Sequence, residues 1–131
     1  MKHILILLAL LIGTSASAQE VLSQEFHENG RIKSTYFTDG VVVHFMKYFE
    51  SGRLHEMGRY VDGKRDGVWK QFAENGTVVA RIEFVRGARQ GTWEFRDPTN
   101  VLQVRLRYEA GQLSTGEQYD PTGEVIAQRT Y

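Results

Sequence analysis

His27, His44 and His55 are the side chains that metal binding or general-base catalysis would draw on first. A metal site built on them would need two or three converging with a carboxylate, and a helix-borne one shows itself as paired short spacing such as HExxH. No such pairing exists here. His27 stands beside a turn, and His55 shares a strand face with Met57 and Arg59, so all three are expected as solvated surface residues and no metal site is expected. The carboxylates fall at turns and on polar faces, with no pair placed for acid–base work. Ser23, Ser34, Ser51 and Ser114 lie outside any nucleophile-elbow pattern. The residues therefore predict no enzyme and no cofactor.

Two other groups of residues carry possible binding chemistry. Lys64-Arg65, with Arg86 and Arg89 in the equivalent loops, could bind phosphate, but Asp62 and Asp66 alternate with them. A solvated row of loop charges is expected. Asn75-Gly76-Thr77 matches a glycosylation sequon, yet it also sits where a tight turn is expected. The aromatic residues are the stronger signal. Tyr60 is followed by Gly63, Gly67 and Trp69, and Phe84 by Gly87, Gly91 and Trp93, at identical spacing. Looser copies begin at Phe37 with Gly40 and at Tyr108 with Gly111. Such a stripe can stack sugars or peptides. Burial is the expected role, because a small single-layer sheet has few other residues to bury.

The elements that must position these residues follow from turns and period. One family of turns is Glu28-Asn29-Gly30, Glu50-Ser51-Gly52, Glu74-Asn75-Gly76, Pro98-Thr99-Asn100 and Pro121-Thr122-Gly123, recurring every 22 to 24 residues. An apolar residue stands two places beyond each: Ile32, Leu54, Val78, Leu102 and Val125. An aromatic stands four places before four of them: Phe26, Tyr48, Phe72 and Tyr119. A second family lies between, at Thr38-Asp39-Gly40, Val61-Asp62-Gly63, Val85-Arg86-Gly87 and Glu109-Ala110-Gly111. Asn-Gly and Asp-Gly supply the positive backbone angles of tight hairpins. Two turns per repeat predict one β-hairpin per repeat and hence a meander. The strands alternate: Val78, Ala80, Ile82 and Phe84 are expected on one buried face with Leu102, Val104, Leu106 and Tyr108. No run past position 18 is long and glycine-free enough for a helix. Gly67 and Gly91, two places before the tryptophans, are expected to let the sheet bend or an indole cross the backbone.

The N-terminus has its own pattern. Lys2 precedes an apolar run from Ile4 to Ile12, and Ala16-Ser17-Ala18 closes it. This is the order of a secretory signal peptide, with cleavage expected after Ala18. Residues 19–131 are then one domain, exported to periplasm or medium, with no membrane span after cleavage. Sixteen Lys and Arg balance sixteen Asp and Glu, which gives no electrostatic reason to expect nucleic acid. The absence of cysteine excludes disulfides and a lipoprotein anchor.

The segment Gly63 to Val78, with Gly67, Trp69, Phe72 and Gly76 in place, resembles the bacterial variant of the MORN repeat. That pattern runs Asp-Gly, three residues, Gly-x-Trp, an aromatic, then Asn-Gly-x-Leu. Residues 60–82 match closely and 84–106 well, with weaker units on either side reaching to Gly123. In the first unit Met46 stands at the Trp place, and Val43 or His44 at the Gly place. The resemblance implies an all-β fold: an elongated, curled antiparallel meander of repeated hairpins. It further implies a non-catalytic scaffold or binding surface, monomeric or weakly self-associating, with an unidentified protein partner. Relatives are often labelled antitoxins, so an antitoxin-like inhibitor of a partner protein is one alternative. A carbohydrate- or peptidoglycan-binding module using an aromatic groove is another. A sugar platform would need two or three aromatics exposed together on one face.

Overall fold

The computed structural model describes residues 19–131, and the expected leader over 1–18 lies outside the described residues. The chain forms β1 (Glu20–Phe26), β2 (Ile32–Thr38), β3 (Val43–Tyr48), β4 (Leu54–Val61), β5 (Lys64–Phe72) and β6 (Val78–Val85). It continues as β7 (Ala88–Arg89), β8 (Gly91–Arg96), β9 (Leu102–Glu109), β10 (Gln112–Tyr119) and β11 (Val125–Thr130). All belong to one antiparallel sheet in chain order, with β7 and β8 both paired to β6. Gln90 interrupts what is otherwise a single strand. β1 and β11 form the two edges, so the sheet is open. Among the described residues β1 pairs with β2 alone, which makes it one edge.

The short hairpin turns have the predicted chemistry. Asp62 and Gly63, Arg86 and Gly87, and Ala110 and Gly111 all carry positive φ at both central positions. That is the type I′ geometry whose twist matches the flanking strands. The first short turn differs, because four residues, Asp39 to Val42, separate β2 from β3. Asp39 Oδ1 holds it by accepting from the N–H groups of Val41 and Val42, 3.2 and 3.1 Å.

The five long turns repeat one backbone scheme. His27, Phe49, Ala73, Asp97 and Asp120 each donate N–H to the carbonyl four residues on and accept from the residue three on. Gly30, Gly52, Gly76 and Gly123 take the left-handed position, and Asn100 takes it in the fourth copy with φ 73°. Neighbouring turns are bonded into a rim. Asn29 donates to Glu50 O (3.0 Å), Arg53 to Glu74 O (2.6 Å) and Asn75 to Pro98 O (2.7 Å). Asn75 also accepts from Thr77 N, so its side chain is built into the turn.

Register decides which side chains share a face. Ala80 pairs with Gln71 and with Phe95, and Val104 with Phe95 and Gln118. Trp69 pairs with Ile82, and Trp93 with Leu106. These form the core face, where Trp69, Ala80, Phe84 and Tyr108 are buried. Neighbouring rings and long side chains supply the cover that a single layer does not provide by itself. The expected stripe is broken at one end. A bulge pairs Phe72 with Val78 next to Gln71 with Ala80, and another pairs Arg96 with Leu102 next to Phe95 with Val104. Two residues oppose one there, so alternation shifts and Val78 and Leu102 turn to the opposite face. Val78 accordingly lines a hollow with Lys70, Arg81 and Glu94. The same bulge joins Phe26 to Ile32, Tyr48 to Leu54 and Tyr119 to Val125, which explains why each long turn is flanked by an aromatic and an apolar residue.

Candidate functional site

The central feature is a file of rings crossing the core face. Tyr36 packs on Phe45 at 4.9 Å, and Phe45 on Trp69 at 5.8 Å between centroids. Tyr60 meets Trp69 edge-on at 5.0 Å. The file resumes with Phe84, Trp93 and Tyr108, spaced 5.3 and 4.7 Å. Phe45, and not Met46, fills the first tryptophan place. The longer first short turn and the unbroken β2–β3 register put Met46 opposite Thr35 and Met57, on the other face.

Gly67 and Gly91 both have φ 71°; Gly67 lies in the β4–β5 bulge, and Gly91 opens β8 just after the break at Gln90. The indole of Trp69 crosses neither of them but a different glycine. A Cβ on Gly58 would lie 2.1 Å from Trp69 Cδ2. Gly58 was missed because it falls inside a strand, away from any turn pattern. The other glycines of the repeat, Gly40, Gly63, Gly76, Gly87, Gly111 and Gly123, are turn residues with positive φ.

Arginines lie on the rings. The Arg65 guanidinium is 4.7 Å from the Trp69 centroid and 5.5 Å from that of Phe84, and Arg89 is 5.6 Å from Tyr108. Cationic lids of this kind are favoured by the ring quadrupole. The loop charges expected to form a solvated row are thus divided. Arg65 and Arg89 cover the core, while Asp66 secures the loop by accepting from Arg86 N (3.1 Å) and pairing with Arg59 (2.9 Å). The Arg86 N–H first, and then Arg59, hold the Asp66 carboxyl below the usual carboxylate range. The signal for the lids was present: an arginine stands five places after Tyr60 and after Phe84.

On the opposite face a charged row crosses the strands. Lys70 faces Arg81, Arg81 faces Glu94, Glu94 faces Arg105 and Arg105 faces Glu117. Glu94 pairs with Arg96 at 3.2 Å and Arg105 at 3.3 Å. Tyr119 accepts from Arg105 at 3.0 Å and donates to Glu117. Its hydroxyl pKa is raised, chiefly by that bond to Glu117. Lys70 and Arg81 form no ion pair among the described residues.

The histidines remain apart. His27 bonds Tyr48 O at 2.9 Å, His44 stacks on Phe37 near Asp39, and His55 stacks on Phe49. Among the described residues no three His, Asp or Glu side chains converge as a metal site. No helix among them is long and apolar enough to cross a membrane.

No curated protein matches the chain. Residues 65–86, from the Arg65 lid through Trp69 to the next short turn, match the family model described as the MORN repeat variant. The same hairpin geometry recurs along the sheet on both sides of that match, so the chain carries a unit similar to the MORN repeat variant at its centre.

Proposed function

We propose that this chain is an exported, non-catalytic repeat module that holds partner proteins or envelope structure. The observation that carries this is the direction of the aromatic file. Trp69 is 1% exposed, and Phe84 and Tyr108 are buried with it under arginine lids. The two aromatics with the most open surface, Phe26 and Tyr131, stand at opposite edges of the sheet. Neither can join the other in a sugar-stacking platform, which favours protein interaction over carbohydrate binding. The broad face left to a partner is the charged one, where Lys70 and Arg81, which form no ion pair among the described residues, stand beside the Glu94–Arg105–Glu117 network. Export is supported by the Lys2–Ala18 pattern of the sequence.

A crosslinking pull-down from the envelope fraction tests the proposal. The expected result is one or a few proteins captured by the native chain and lost from an Arg81→Glu variant that melts like the parent. Binding to peptidoglycan or a soluble glycan, with no protein captured, would favour the sugar alternative.

A further inference from the structure

Among the described residues, most large apolar side chains that stay exposed are at the two sheet edges: Val21, Leu22 and Phe26 on β1, and Val125, Ile126 and Tyr131 on or beside β11. Every residue of both strands is exposed. Open edges are usually blunted by charges, proline or bulges. Here the charges of one edge complement those of the other. β1 carries Glu20 and Glu25 with no Lys or Arg, and β11 carries Arg129 with no Asp or Glu.

Direction and register also agree. The strands occupy ten successive places in the sheet, so an added strand antiparallel to β11 must run as β1 does. Inside the sheet, the apolar residue after one long turn meets the aromatic before the next: Ile32 and Tyr48 line one hollow. Among the described residues, Val125 at one edge and Phe26 at the other each lack that neighbour. Placing Phe26 of a second molecule beside Val125 repeats the Ile32–Tyr48 arrangement. It also sets Ala127 opposite Glu25 and Gln128 opposite Gln24, with Arg129 diagonal to Glu25. Diagonal positions are about 7–8 Å apart, within reach of an arginine. The backbone is poised for this. Tyr131 N donates to Ser114 O, so by alternation the N–H of Gln128 points away from β10.

We propose that β11 of one molecule adds to β1 of a second copy, extending the sheet head to tail. The inference deepens the interaction role, on which it rests, by naming a second copy of this chain as one partner. A head-to-tail contact uses two different surfaces, so it does not stop at a dimer unless the rotation closes a ring.

Sedimentation velocity over a concentration series of the full purified chain tests it. The native chain is expected to grow past the dimer. Gln128→Pro removes an outward donor without touching the β10 ladder, and is expected to raise the concentration needed by about tenfold or more. Glu25→Lys and Arg129→Glu should each weaken assembly, and the double variant should restore it. Circular dichroism checks that each variant is folded. A chain that is monomeric throughout, that stops at an open-edged dimer, or whose double variant is no better than the singles overturns the proposal. Envelope capture by the Gln128→Pro chain is scored separately: its loss or survival bears on the wider interaction role, and the sedimentation series on head-to-tail pairing.

Discussion

Trp69 and Trp93 stand at the same place in successive copies of one repeat, yet Trp69 is sealed and Trp93 is half-buried. The residue eleven places earlier accounts for much of the difference. For Trp69 it is Gly58, whose bare backbone receives the indole. For Trp93 it is Ile82, whose side chain stands on the core face opposite Trp69. Trp93 instead donates its indole N–H to Glu83 O at 3.0 Å. Trp69 Nε1 is buried without a hydrogen-bond partner among the described residues. An orphaned donor costs about 1–3 kcal/mol, less than deleting a buried tryptophan, which costs about 3–5 kcal/mol. In the central unit packing outweighs hydrogen bonding, and in the next unit the two are shared.

Deleting each ring separates the two tryptophans most directly. Trp69→Ala should destabilise by about 3–5 kcal/mol, a large part of the 5–15 or so that a small domain has. Trp93→Ala should lose about 2 kcal/mol. Urea unfolding of both variants measures this, and equal losses would mean the two indoles are energetically alike. Gly58→Ala sharpens the point from the other side. Its Cβ would enter the Trp69 ring, so the indole must move, at about 1–3 kcal/mol. Acrylamide should then quench Trp69, read in a Trp93→Phe background. Unchanged quenching would contradict the close approach.

Smaller effects test what the units share. Gly67→Ala and Gly91→Ala should each cost about 1–2 kcal/mol, the ordinary penalty of a left-handed L-residue. The nearest atoms, Arg59 Nε and Glu83 Oε2, belong to flexible side chains and can move aside. Unequal melting shifts would show that the two positions differ. The smallest effect is that of pH. Asp66 has a lowered folded pKa, and Gln90 replaces it one repeat later. A depressed carboxylate contributes stability above its unfolded pKa of about 3.9, and that stability is lost as pH falls through the folded value. Asp39, Asp97 and Asp120, lowered by hydrogen bonds in their own turns, act in the same direction. Asp66→Asn should flatten the acid limb of stability against pH, and an unaltered limb would remove Asp66 from the account.

Much of the architecture was legible because it is local. Asp62-Gly63 can form a type I′ turn wherever it occurs, and two such turns per repeat leave only a hairpin meander. The rings of the file were visible as Tyr60, Trp69, Phe84, Trp93 and Tyr108 for the same reason, since their spacing is counted along the chain. The edges were less legible. Nothing local marks Glu20 to Phe26 as an outermost strand; its pairing with β2 alone, among the described residues, makes it an edge.

By itself the sequence determined the strands, the turns and the rings available for burial. The tertiary structure decided which face each side chain serves. Facing depends on parity with a neighbouring strand, and one extra residue in a bulge reverses it. That is why Val78 and Leu102 left the expected stripe, and why Phe45 took the tryptophan place from Met46. It is also why the value of Gly58 is invisible until β5 lies beside it. A glycine inside a strand weakens that strand by propensity alone. Only the indole laid against it by the next strand makes the missing side chain a structural requirement.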